Sequence, residues 1–127
     1  MNLEKVIFAF FIISAATLNF GFVIGEIDNP LHHNLWEFFA AFVVNVIATV
    51  LKFGDRTQVG AMHLATSLVA LLQLAAAALV WTLAPVTPDG VLAPTAVTSI
   101  VSLSAGALLA NIISVVILIV ETTLQRR

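Results

Sequence analysis

Four apolar runs separated by short polar breaks set the plan of this 127-residue chain. They cover residues 6–24, 35–53, 61–83 and 97–119, each close to the roughly 20 residues a helix needs to cross about 30 Å of hydrocarbon. The pattern predicts an all-α fold: one polytopic membrane domain over residues 1–127, with four transmembrane helices and a short hairpin between the second and third. The second run is the most strongly patterned. At helical spacing Glu37, Ala41, Asn45, Ala48 and Lys52 fall within an arc of roughly 80°, with Thr49 on the following turn. Phe39, Phe42, Val43, Val46, Val50 and Phe53 cover the opposite side, so one side suits protein or water and the other suits lipid. The first run begins like a signal peptide, with Lys5 ahead of it and the small stretch Ser14-Ala15-Ala16. Its apolar character continues to Ile24, so a retained span is expected.

Composition agrees with this pattern. The chain is 61% hydrophobic and 9% charged, against about 25% charged in soluble domains. It has no cysteine, which excludes disulfides and thiolate metal sites. A net charge of -2 and the lack of a basic run argue against a nucleic-acid partner. Lys5 precedes the first run, Lys52 and Arg56 flank the second break, and Arg126 and Arg127 end the sequence. All five basic residues thus fall on one side, which the positive-inside rule makes cytoplasmic, with both termini inside. Trp36 and Trp81 then lie at the opposite interface, where an indole buries its ring and keeps its N–H wet.

Each run carries one amide in its middle third: Asn19, Asn45, Gln73 and Asn111. An unpaired amide in hydrocarbon costs on the order of several kcal/mol, so these groups are expected to face one another, another subunit or water. Two readings follow. The amides act as hydrogen-bonding glue between helices, or, with Glu37, Asn45, Thr49 and Lys52, they line a polar pathway whose oxygens replace part of a cation's hydration shell. The acidic outer residues Glu26, Asp28, Glu37 and Asp89 favour a cation, whereas Lys52 at the inner end repels one unless it snorkels away. Small residues four apart mark candidate packing faces: Thr17, Gly21 and Gly25 in the first run, and Ser102, Gly106, Ala110 and Ser114 in the fourth. Between the first two runs, Glu26, Asp28, His32, His33 and Glu37 could offer metal ligands, but they lack ligand spacing and read better as a solvated acidic loop. His63 reads as interfacial, with a pH-sensing role open to it. All nine phenylalanines precede residue 54, which leaves the third and fourth helices to make the closest contacts.

No nucleophile motif, phosphate loop or i,i+4 metal pair is present, and His63 lies across the membrane from His32 and His33. The chain therefore reads as a non-enzyme with no cofactor and no metal. Small multidrug-resistance pumps carry a glutamate in their first helix, where this chain has Asn19. Bacterial fluoride channels share a second-helix asparagine, as in Val44-Asn45, but they place phenylalanines in the third helix, which has none here. The hairpin segment LKFGDRTQ, residues 51–58, resembles small bacterial four-helix inner-membrane proteins of unknown function. That resemblance implies a bacterial inner-membrane location and carries no activity. The expectation is a small channel-like or transport protein, with a small cation as cargo, that forms a homo-oligomer in the bilayer. The alternative is a structural or accessory subunit of a membrane complex.

Overall fold

The computed structural model describes residues 3–25, 29, 33–55, 57–84, 86, 88 and 90–125. Four helices hold nearly all of them: α1 (Leu3–Val23), α2 (Leu35–Lys52), α3 (Gln58–Leu83) and α4 (Pro94–Gln125). All four are long and apolar enough to span a membrane. The first three agree with the apolar runs to within three residues at either end. The fourth is longer, at 32 residues. It starts at Pro94, because a proline lacks only an N–H that the first helical position leaves unpaired anyway. It continues past Ile119 because Glu121, Thr122 and Thr123 end the apolar run without breaking a helix. The outer-loop residues Glu26, Asp28, His32 and Asp89, and the basic residues Arg56, Arg126 and Arg127, lie outside the described residues.

Side chains of the breaks cap the helices. Asn34 accepts a 2.8 Å hydrogen bond from the Trp36 N–H at the start of α2, and Thr57 accepts one of 2.9 Å from Gly60 at the start of α3, which satisfies otherwise orphaned donors. Between α2 and α3 the chain reverses through a type II turn. Phe53 has φ -65° and ψ 125°, Gly54 has φ 90°, and the Asp55 N–H donates to the Lys52 carbonyl at 3.2 Å. The third residue of such a turn requires positive φ, which is why glycine stands there.

The helices form a ring in which α1 touches α2 and α4, and α3 touches α2 and α4, with α3 against α4 the most extensive pair. Their buried positions recur with alternating spacings of three and four: Phe8, Ile12, Ala15, Asn19 and Phe22 on α1, and Phe38, Ala41, Asn45 and Ala48 on α2. The same rhythm continues through His63, Ser67, Ala70, Leu74 and Ala77 on α3, and Ile100, Ser104, Ala107, Asn111, Ser114 and Leu118 on α4. A period of 3.5 is the signature of left-handed bundle packing. Bulky apolar side chains lie outside instead; Phe10, Phe20, Phe39, Leu72, Leu109 and Val116 are each more than half exposed. Small and polar residues inside with large apolar ones outside make a membrane protein.

That rhythm divides the residues expected, from their spacing of four, to form contact faces within one subunit or between subunits. Ala110 and Ser114 are buried, and Gly106 and Gly21 receive the side chains of Gln73 and Glu37 respectively. Thr17, Gly25 and Ser102 are exposed. A spacing of four advances about 40° per step, so Ser102 and Ser114 stand roughly 120° apart around α4. A seam facing one neighbour needs the 3.5 period instead.

Candidate functional site

Two aromatic layers bracket the interior. At the end bearing the α2–α3 turn, Phe8 contacts the His63 ring edge-to-face at 4.8 Å and lies 4.3 Å beneath the Lys52 ammonium. At the opposite, loop end, Phe22 packs against Phe38, Trp81 and His33 with ring centroids 5.2 to 5.9 Å apart. Phe8 and Phe22 of α1 are 14 residues apart, or roughly 21 Å at helical rise. His33 closes the loop-end layer by donating from Nδ1 to the Phe22 carbonyl at 2.6 Å; a carbonyl only accepts, so this nitrogen carries the proton. His33 thus faces aromatic rings within the layer and is buried there.

Between these layers the polar residues succeed one another in depth. Asn19 lies one turn below Phe22, and Asn45 lies midway between Phe38 and Lys52 on α2. Asn111 precedes Ser114 by one turn, Ser67 follows His63 by one turn, and Ser104 lies two turns above Asn111. All six are buried: Asn19, Asn45, Ser67, Ser104, Asn111 and Ser114 have no exposed surface. Gln73 comes over from α3 to lie against Gly106, so closely that a Cβ at that position would collide with its amide oxygen.

The amides are not bonded to one another. Asn45 donates from Nδ2 to the Ala41 carbonyl one turn back at 2.8 Å, and Thr49 donates to the Asn45 carbonyl at 2.8 Å. These are bonds within α2. Among the described residues, nine buried side-chain atoms have no hydrogen-bond partner in the chain: both polar atoms of Asn19 and of Asn111, Asn45 Oδ1, Gln73 Oε1, Ser67 Oγ, Ser104 Oγ and His63 Nε2.

Charged groups gather at the turn end. Lys5 Nζ lies 3.4 Å from Glu121 Oε1, and Glu121 Oε2 lies 3.7 Å from His63 Nε2. The other imidazole nitrogen, Nδ1, is hydrogen-bonded to the Ser114 hydroxyl at 2.7 Å. Lys52 pairs with Asp55 at 3.6 Å. The Thr57 N–H, and then its hydroxyl, hold the Asp55 carboxyl below its ordinary value of 3.8; slight burial opposes this and Lys52 adds to it. Glu4, Lys5, Phe8, Lys52, Asp55 and Glu121 line a cavity of about 510 Å³ here. At the far end of α2, Glu37 lies against Gly21 and is separate from this cluster.

The structure thus brings Asn19, Asn45, Gln73 and Asn111 into one interior and sets Lys52 at its turn end, while Thr49 is satisfied by its own helix. Sequence reasoning missed Ser67, Ser104 and Glu121, and it took His63 for an interfacial residue. The spacings Ser104–Ala107–Asn111–Ser114 and His63–Ser67–Ala70 carried the signal, since both follow the 3.5 period of the interior.

Fold and site together define an all-α, four-helix protein of membrane type with a polar interior. Residues 32–122 match a family of unknown function, DUF6394, and the chain belongs to it. No curated protein and no solved structure matches the chain.

Proposed function

We propose that this chain is a small channel-like transport protein of the bacterial inner membrane, with both termini cytoplasmic, that passes a small cation through the interior of its helix bundle. The set of unpartnered atoms carries this reading. A buried polar group left unsatisfied costs about 1–3 kcal/mol, and a native protein has only about 5–15 kcal/mol of net stability. Eight such atoms in one interior, leaving aside His63 Nε2 beside Glu121, rival that whole margin unless a polar occupant meets them. Water or a hydrated cation does so, because the carbonyl oxygens of Asn19, Asn45, Gln73 and Asn111 accept the interactions a hydration shell would otherwise make. Helix-to-helix glue would instead place the amides on one another. On this reading the aromatic layers at either end belong to a closed form, with Phe22, Phe38 and Trp81 packed across the loop end. The exposed small residues Thr17 and Ser102 offer contact points between copies in a homo-oligomer.

Reconstitution in liposomes tests this function, with fluxes of K⁺, Na⁺, H⁺ and anions measured separately. The expected result is a cation flux above that of empty liposomes, diminished in Asn45→Leu while that variant stays folded. Folded wild-type protein that moves no ion would sink the transport reading in favour of an accessory subunit.

A further inference from the structure

We propose that the turn end of the polar interior is a proton-binding relay formed by Glu121, His63 and Ser114, so that the cation this protein handles is the proton. The inference rests on the transport reading and names its cargo. The His63 ring has no exposed surface, yet its two nitrogens face different surroundings. Nε2 is directed to Glu121, 3.7 Å away, whose carboxylate lines the 510 Å³ cavity. Nδ1 is bonded to Ser114 at 2.7 Å, and one turn deeper in the bundle come Asn111 and Ser67, both with unpartnered polar atoms. The imidazole therefore stands between Glu121, which lines the charged cavity, and Ser114 at the edge of the amide-bearing interior.

The surrounding charges select among cations. They are Glu4 and Lys5 on α1, Lys52 and Asp55 on α2 and its turn, and Glu121 on α4. Lys52 lies over Phe8 and Phe8 lies against His63, so a metal ion entering here would pass two ammonium groups and an aromatic ring. A proton need not pass them as an ion. It moves from the Glu121 carboxylic acid to His63 Nε2, breaking the O–H bond and forming an N–H bond. The imidazolium then releases the proton on Nδ1 to the Ser114 oxygen as that hydroxyl gives its own proton to the next acceptor inward. The ring, which began with its proton on Nδ1, is left neutral with its proton on Nε2, and a ring turn restores the first arrangement for the next proton. Histidine suits this work because its ordinary pKa is near 6.5 and both nitrogens exchange protons.

The full chain in liposomes, under a pH gradient with the membrane potential clamped, separates the outcomes. Proton flux is expected, and His63→Gln and Glu121→Gln are each expected to lower it by about tenfold or more, as loss of a positioned acid–base group does. Wild-type flux of K⁺ or Na⁺ without proton flux would overturn the relay and leave the transport reading standing. No flux of any ion would overturn both. Proton flux unchanged in folded His63→Gln would also overturn the relay. Should the variants fail to fold, ¹⁵N signals of the imidazole in wild-type protein in nanodiscs give a second measure. The His63 signal is expected to change as the pH is lowered while the fold persists, and one that stays constant over the whole range in which the protein stays folded overturns the proposal.

Discussion

Asn45 shows how a single side chain separates stability from function in this bundle. Its Nδ2 is satisfied by the Ala41 carbonyl and its Oδ1 by nothing in the chain. Removing the unpaired Oδ1 relieves its desolvation cost, and the Ala41 carbonyl keeps its backbone partner in the helix. Asn45→Leu should therefore melt at the same temperature as wild type or higher in detergent, while its ion flux falls; a lower melting temperature with normal flux would contradict both expectations. Gly106 tests a different residue-scale effect. A Cβ there meets the far end of the Gln73 side chain, which can swing aside, so Gly106→Ala should cost no more than about 1 kcal/mol. Shortening the intruding side chain with Gln73→Ala in the same molecule should recover most of that loss in a double-mutant cycle. Asp55 governs the acid limb. Thr57 holds its folded-state pKa below 3.8, so its stabilisation is complete above the unfolded value and disappears as pH falls through the folded one. Acid unfolding followed by circular dichroism should accordingly start at higher pH in Thr57→Ala, which removes the hydroxyl donor.

At the scale of helices, Thr57 also caps α3, and its replacement by alanine should cost about 0.5–2 kcal/mol at neutral pH while serine retains most of the cap. Comparing the two variants by thermal melting isolates the hydroxyl. Capping of this kind was legible in the chain: Asp55 and Thr57 ahead of α3, and Gly54 after α2, follow from local chemistry. The four spans were legible too, because a run of apolar residues announces itself without reference to any neighbour. The seam on α2 could be read because Glu37, Asn45 and Lys52 contrast with the phenylalanines opposite them. The interior of α3 and α4 could not be read in the same way. There the buried face mixes serine, alanine, asparagine and histidine with Leu74, Val97, Ile100, Val101 and Leu118, while the exposed face is also rich in leucine, isoleucine and valine, and alanines occur on both. Small-residue spacing of four drew attention to Ser102, which lies outside, and away from Ser104, which lies inside with no exposed surface. His63 looked interfacial because it falls within two turns of the helix start. Only the crossing of α1 and α4 beside it, bringing Phe8, Ser114 and Glu121, shows that it is enclosed.

Across the whole molecule the helices differ in length far more than their shared task requires. With 18 residues α2 spans about 27 Å, and with 32 residues α4 spans about 48 Å. The short helix is flanked by Trp36 and Lys52, both of which seek the interface. The long one carries Glu121 beyond the apolar core to meet Lys5 and His63. A bilayer near 27 Å thick accommodates both, with the excess of α4 in water. In a thicker one, α2 is too short, and Lys52 must sink into hydrocarbon or drag the headgroups toward it. Lipids of increasing acyl length should thus pull Lys52 away from Phe8 and Asp55 before they disturb α4. Melting temperature and ion flux measured across such a series should fall on the thick side and hold on the thin side. The unequal helices make this protein a gauge of membrane thickness, with its shortest span setting the scale.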